Sequence, residues 1–536
     1  MNEATLLAEL ANISAARTPQ ATALVSETES LDYAILAERI SKFASGIAEI
    51  GLARSERAAI YIEKRPETVI AAFGAAAAGC VFVPLNPVLK PEQVAYILRD
   101  CNVRVLVTSP QRFGALGEVL ERCPDLRHVI LTARATDGST RAQAIHRWED
   151  MLETPARPGH RVIDSDIAAI LYTSGSTGKP KGVVLSHRNM VAGAKSVAAY
   201  LENRADDTLL AALPLSFDAG FSQLTTAFHV GARVVLINYL LPRDVLNALV
   251  RERITGLTGV PPLYIQLSQL EWPASIDEHL RYFANTGGRM PRETLAALRS
   301  RVPRAKPFLM YGLTEAFRST YLPPDEVDRR PDSIGKAIPN AEILVLREDG
   351  THCAPNEPGE LVHRGTLVGL GYWNDQEKTA ERYRPLPNRE LGLVMPEIAV
   401  FSGDTVQMDE DGFLYFIGRR DEMIKTSGYR VSPTEIEEVL YGTNLVGEAA
   451  AFGVSHPTLG QAIVVVVTPK DGVAADEAAL NAACRARLPV YMLPAVIDIR
   501  LGPLPRNPNG KIDRKALGVE FERRFEPTVQ RAAAHR

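Results

Sequence analysis

Short apolar runs with the look of strands recur along this chain, with helical patterns between them, and no other feature restricts its fold as much. "AAIYI" (58–62), "VRVLVT" (103–108), "HVILT" (128–132), "IAAILYT" (167–173) and "ARVVLI" (232–237) are brief, rich in β-branched residues and nearly free of charge. Runs of that kind are what strands buried on both faces require. Their alternation with helices predicts an α/β architecture, a large N-terminal part built of parallel sheets and helices. The chain has 536 residues, 46% of them hydrophobic, which is enough for two to four domains.

After about residue 420 the texture changes. In "SPTEIEEVL" (432–440) Ser432 is placed to cap a helix, Pro433 suits its first position and Glu435 completes a capping box. "AIVVVV" (462–467) reads as a strand and "ADEAALNAACRARL" (475–488) as an amphipathic helix. The expected division is a core over 1–420 and a small mobile α+β domain over 421–536, joined near Asp421.

Several classes are disfavoured early. The net charge is −4, so no basic footprint points to nucleic acid or an anionic membrane. The five cysteines, Cys80, Cys101, Cys123, Cys353 and Cys484, are scattered without a CxxC, as in a reduced, cytoplasmic protein without disulfides or structural zinc. "MNEATLLAELANISAARTPQ" has neither a basic region nor a long apolar run, so a secretory signal is not expected. The uncharged stretch "VIAAFGAAAAGCVFVPL" (69–85) is short and Ala/Gly-rich, and is expected to be a buried helix running into a strand rather than a membrane span.

"YTSGSTGKPKG" (172–182) raises the functional question. A Walker loop needs four residues between its first glycine and its Gly-Lys-Ser/Thr. Here Ser176 and Thr177 alone separate Gly175 from Gly178, and Pro180 follows Lys179. "IAAILY" leads in as a strand and "GVVL" leads out as another, before Ser186 caps a helix. What remains is a loop between strands, rich in N–H groups and hydroxyls with cations alongside, which suits a polyphosphate without a helix dipole. A solvated Gly/Ser turn is the bland alternative.

This segment resembles the phosphate-loop signature of the adenylate-forming superfamily, which includes acyl-CoA synthetases, luciferases and the adenylation domains of nonribosomal peptide synthetases. Its other motifs follow in order: "NTGGRM" (285–290), "YGLTEA" (311–316), "GELVHRGTLVGLGYWNDQEKT" (359–379), "SGDTVQMDEDGFLYFIGRRDEMIKTSGYRVSPTEIEEVL" (402–440) and "LPRNPNGKIDRKAL" (504–517). "LPLSFDAGFSQLTTAF" (213–228) and "MYGLTEAFRSTYLPP" (310–324) are most similar to the AMP-forming acyl-CoA ligases associated with bacterial exosortase A systems.

The resemblance implies a two-step reaction. A carboxylate attacks the α-phosphorus of ATP, giving an acyl-adenylate and pyrophosphate; a thiol of CoA or of a carrier protein's phosphopantetheine then takes the acyl group and releases AMP. It implies that Thr173, Ser174, Gly175, Ser176, Thr177, Gly178 and Lys181 hold the β- and γ-phosphates, with Gly287 and Gly288 against adenine. Tyr311 packs on adenine beside Gly312, Thr314 meets the α-phosphate and Glu315 ligates Mg²⁺. Asp404 accepts from both ribose hydroxyls and Arg419 adds a guanidinium nearby. Lys511 bridges the carboxylate and α-phosphate as negative charge develops. Asp421 is the hinge, and rotation about it brings in "KTSGYR", so that Lys425 and Gly428 line a thiol tunnel. Taken singly, each of these residues also reads as a solvated, capping or linker residue.

The acid is less defined. "SFDAG" (216–220) is similar to the segment of amino-acid adenylation domains whose aspartate binds the substrate ammonium, which makes Phe217 and Asp218 substrate residues and an amino acid the leading substrate. A plain acyl or aryl acid is the alternative, because Gly220 replaces the usual serine and Gln223 stands near a common glutamate. In that case Asp218 caps the helix beginning "AGFSQL". A non-catalytic adenylate-binding protein would be expected to lack Lys511, Glu315 or Asp404, and all three are present. Only residues 518–536 follow the lysine motif, too few for a carrier domain, so the thiol is expected from CoA or a separate carrier protein.

Overall fold

The computed structural model describes residues 3–133, 143–157, 159–173, 180–387, 394–419, 422–426, 429–456, 459–507, 510–522 and 524–525. Its contacts divide the chain into two compact units. One comprises Met1–Met290, Ala297–Leu344 and Val362–Ser402; the other comprises Pro291–Ala296, Val345–Leu361 and Gly403–Arg536.

The first unit carries two sheets. One runs Ala144–Arg147, His128–Leu131, Val103–Thr108, Arg57–Tyr61, Val81–Pro84, Ile167–Thr173, Lys181–Ser186, parallel until its last, antiparallel pair. In the other, Lys306–Tyr311, Tyr282–Asn285, Gly256–Gly259, Thr208–Ala211, Arg233–Leu236 and Thr22–Val25 are parallel neighbours. Each apolar run quoted above is one of these buried strands. The uncharged stretch becomes the helix Pro66–Ala77 and the strand Val81–Pro84. Its small residues have a packing cause: a Cβ on Gly74 would lie 2.7 Å from Cδ1 of Phe43 on the helix Tyr33–Glu49. Among the described residues no helix is long and apolar enough to cross a membrane.

An aromatic cluster anchors the helix Asp218–Val230 in this core. The Phe221 ring stacks on Phe82 at 4.8 Å and on Phe73 at 5.6 Å, and Phe228 meets Phe73 edge-on at 5.3 Å. Truncating one such buried ring costs about 3–5 kcal/mol. The N-terminus of this helix is therefore fixed by the core behind it.

In the second unit Ile424–Thr426, Tyr429–Val431, Val446–His456, Gly460–Pro469 and Val496–Ile499 form a mixed five-stranded sheet. The run of valines is buried on both faces. Val465 and Val467 pack with Ile436, Leu440 and Leu480, and Val464 and Val466 pack with Phe452, Leu504 and Leu517. The helix Pro433–Tyr441 starts where the sequence predicts, but the expected capping box is not formed: Ser432 makes no side-chain cap bond, and its hydroxyl pairs with that of Thr434 at 2.7 Å. Asp421, the expected hinge, lies outside the described residues. All five cysteines are free thiols.

Candidate active site

The strands Ile167–Thr173 and Lys181–Ser186 pair antiparallel, with Thr173 opposite Lys181. Ser174, Gly175, Ser176, Thr177 and Gly178 lie outside the described residues. A strand follows the loop, as predicted, and the helix waits until His187–Tyr200. Ser186 Oγ accepts from Asn189 N–H at 3.2 Å and Asn189 Oδ1 accepts from Ser186 N–H at 2.8 Å, a reciprocal cap. The Asn189 amide also donates to the carbonyls of Thr366 and Val368, at 2.7 and 2.9 Å. The segment beyond then lies along the strand: Leu370 N–H reaches Val184 O at 2.8 Å and Trp373 N–H reaches Gly182 O at 2.7 Å.

This docking brings Tyr372 between two expected site residues. Its ring centre is 5.6 Å from Lys181 Nζ, and its hydroxyl donates to Glu315 Oε1 at 2.6 Å. Glu315 Oε2 takes no hydrogen bond from the described residues, and the carbonyl of Glu315 is held by Gly369 N–H at 2.8 Å. Burial and the Glu315 carboxylate push the neighbouring Tyr383 phenol well above its usual range.

Glu315 sits in a tight turn. Thr314–Ala316 form a single 3₁₀ turn, and Ser319 N–H closes back on Tyr311 O at 3.2 Å. Gly312 permits the fold-back, since a Cβ there would lie 3.2 Å from Arg318 Cα. Phe317 has φ 57°, left-handed backbone that is costly for an aromatic residue. Its ring is fully buried against the helix His187–Tyr200, where a Cβ on Gly193 would fall 2.3 Å from Cδ1.

Asp218 does not cap its helix. Helical structure begins at Asp218 itself, after Phe217, and the carboxylate turns toward the Thr314 turn. Oδ1 accepts from Thr314 Oγ1 at 3.3 Å and Oδ2 accepts from Arg318 Nη1 at 2.7 Å. The Arg318 side chain is 2% exposed and also donates to Phe317 O at 3.0 Å. Gly220 has its own cause, because a Cβ there would stand 1.6 Å from the Pro214 carbonyl oxygen. The loop before Asp218 is held from the other side by Lys64, whose ammonium donates to Ala211 O at 2.9 Å and Ala212 O at 2.7 Å. Gly287 and Gly288 follow the strand Tyr282–Asn285, exposed, with Gly287 at φ 76° and Asn285 Nδ2 donating to Gly288 O at 2.8 Å.

In the second unit, Asp404 stands opposite Arg419 on paired strands, and Arg419 Nε is 3.4 Å from Asp404 Oδ1. Lys511 is exposed in a turn in which Asn507 N–H donates to Lys511 O at 2.8 Å and Lys511 N–H to Asn507 Oδ1 at 3.1 Å. Gly428 and the Lys425 side chain lie outside the described residues.

Reasoning from sequence missed Arg318, Tyr372 and Lys64. A lone arginine inside the apolar "MYGLTEAFRSTYL" was a usable signal for Arg318, and Tyr372 lies within the quoted motif 359–379, where nothing singled it out; nothing in the sequence marked Lys64. Among the described residues no group of three or more His, Cys, Asp or Glu is placed to hold a metal. Glu315 offers one carboxylate oxygen that takes no hydrogen bond from the described residues, a donor that fits an ion carried chiefly by phosphate oxygens and water, as Mg²⁺ is.

The AMP-binding enzyme family matches residues 12–373, and the AMP-binding enzyme C-terminal domain matches residues 435–511. The chain is 30% identical to a long-chain-fatty-acid–CoA ligase of Salmonella typhimurium over 96% of its own length and 94% of the relative's. It is 28% identical to gramicidin S synthase 2 of Brevibacillus brevis over 94% of its length, which is 11% of that chain. Among solved structures it is similar to o-succinylbenzoate coenzyme A synthetase from Bacillus subtilis in complex with ATP and magnesium ion. That likeness has a TM-score of 0.79 at 26% identity and covers 95% of this chain and 98% of the other. Family, fold and ordered motifs agree: the chain belongs to the AMP-binding enzymes.

Proposed function

We propose that this AMP-forming acid–thiol ligase joins a carboxylic acid to a thiol through an acyl-adenylate. The carrying observation is the shared turn of Thr314, Glu315 and Arg318, with Asp218 bonded to Thr314 and Arg318. In the first half-reaction the acid's carboxylate oxygen attacks the α-phosphorus of ATP and pyrophosphate leaves. Thr314 Oγ1, whose one proton would turn from Asp218 to the phosphate, is assigned to the α-phosphate, and Lys181 is the cation assigned to the outer phosphates. Thr173 and the glycine and hydroxyl residues after it supply further donors. Mg²⁺, held by Glu315, would neutralise phosphate charge.

Asp404 is assigned to the ribose hydroxyls, with Arg419 beside it, and Tyr311, Gly312, Gly287 and Gly288 to adenine. Lys511 is assigned to the charge that develops between carboxylate and phosphate. For the second half-reaction Asp421 is assigned as the hinge between 1–420 and 421–536, and Lys425 and Gly428 as the thiol channel. Thiol sulfur attacks the acyl carbon and AMP leaves. CoA is the acceptor we assign, with a carrier protein's phosphopantetheine the second reading, supported by the likeness to a gramicidin synthase.

The test is pyrophosphate release from ATP and Mg²⁺ across a panel of carboxylic and amino acids, with and without CoA. Release with at least one acid, and an acyl-CoA product when CoA is added, is expected. No release with any acid would end this reading.

A further inference from the structure

Asp218 already has a cation. Its Oδ2 accepts from Arg318 Nη1 at 2.7 Å, and the Asp218 and Arg318 side chains are 12% and 2% exposed. A buried carboxylate needs a positive partner, and here that partner belongs to the chain itself. Asp218 also touches Thr314 at 3.3 Å, the residue assigned to the α-phosphate. A substituent on the α-carbon of the reacting acid would come close to the same carboxylate.

Nor can Arg318 step aside. It is fastened to Phe317 O at 3.0 Å, and Phe317 is itself locked against Gly193. Beside Arg318 lies a cavity of about 20 Å³ lined by Ser222, Gln223, Thr226, Thr258 and Tyr282. That is room for about one water molecule, too little for a guanidinium. Two buried atoms on its wall, Arg318 Nε and Gln223 Oε1, lack hydrogen-bond partners among the described residues.

We propose that Arg318 is the specificity-determining residue of this ligase. It occupies Asp218 as a permanent internal cation, so the site rejects acids bearing an α-ammonium and accepts their counterparts without one. The inference rests on the reaction proposed above. An incoming ammonium would be desolvated beside a pair that is already neutral, with a cation of like sign held next to it. The Gly220 backbone agrees: the Pro214 carbonyl fills the space of a serine side chain there, so this helix entrance differs from that of the amino-acid pattern.

The test pairs each carboxylic acid with its 2-amino analogue and measures kcat/KM for pyrophosphate release. Wild type should prefer the unaminated member by about a hundredfold or more. Arg318→Met should narrow that ratio by about tenfold or more, and Asp218→Asn added to Arg318→Met should erase the change. A wild-type preference for the amino member, or an active Arg318→Met enzyme with an unaltered ratio, overturns the proposal. A second measurement needs no turnover. Millimolar ethylguanidinium should raise the unfolding midpoint of Arg318→Ala relative to sodium at equal ionic strength, and should not do so when Asp218→Asn is added. If no acid yields pyrophosphate, the reaction reading falls, and this rescue alone decides whether Asp218 recruits a cation: a rise upholds it and no rise overturns it.

Discussion

The Tyr372 hydroxyl donates to Glu315 Oε1 at 2.6 Å, while the face of the same ring stands 5.6 Å from the Lys181 ammonium. One aromatic side chain therefore joins the strand that leaves the glycine loop to the carboxylate assigned to Mg²⁺. Tyr372→Phe removes a hydrogen bond to a charged group, worth about 1.5–3 kcal/mol. We expect kcat/KM for pyrophosphate release to fall between about tenfold and a hundredfold, with a higher Mg²⁺ concentration at half-saturation. An unchanged Mg²⁺ dependence would reduce Tyr372 to a packing residue.

Gly193 is expected to tolerate no side chain. Alanine would place Cβ 2.3 Å from the Phe317 ring, which is fully buried. Overpacking of this kind costs about 1–3 kcal/mol, and it would displace the turn that carries Thr314 and Glu315. Gly193→Ala should lower stability in urea melts, and Phe317→Leu in the same chain should restore part of it. Simple additivity of the two changes would contradict the contact.

Lys511→Ala should abolish pyrophosphate release while thioester formation from supplied acyl-adenylate persists. The reason is that the lysine is assigned to charge that exists only in the first half-reaction. Rapid-quench measurement of both halves decides it, and equal loss in both would contradict the assignment.

Two buried histidines predict the acid limb of stability. Burial pushes His187 and His363 down to about 4. His187 Nδ1 accepts from Leu7 N–H at 3.1 Å, a bond that protonation there would break. Unfolded imidazole titrates near about 6.5, so between that pH and about 4 the unfolded chain binds more protons and stability rises with pH. The contribution is present in full above about 6.5 and is lost as pH falls through about 4, up to about 3 kcal/mol for each residue. Urea melts from pH 7 to pH 4 should show this slope, and His363→Gln should flatten it.

Much of the fold was legible in the sequence because its signals are local. A strand buried on both faces must be apolar throughout, so "IAAILYT" and "VRVLVT" announced themselves, and Ser186 marked its helix by a cap that spans three residues. The family's ordered motifs likewise mark the chemistry by identity and spacing alone. The expected Ser432 cap is absent, and the serine hydroxyl pairs with Thr434 instead.

What the chain determined by itself, then, was the set of quoted buried strands, through periodicity, and the class of reaction, through the family resemblance of its ordered motifs, since neither needs knowledge of distant partners. Tertiary structure decided the partners of the charges. Asp218 meets Arg318 across 100 positions of chain, and Glu315 meets Tyr372 across 57. A charge in a low-dielectric interior is governed by its nearest counter-charge and donor, and which residue comes nearest is a property of packing that no local pattern records.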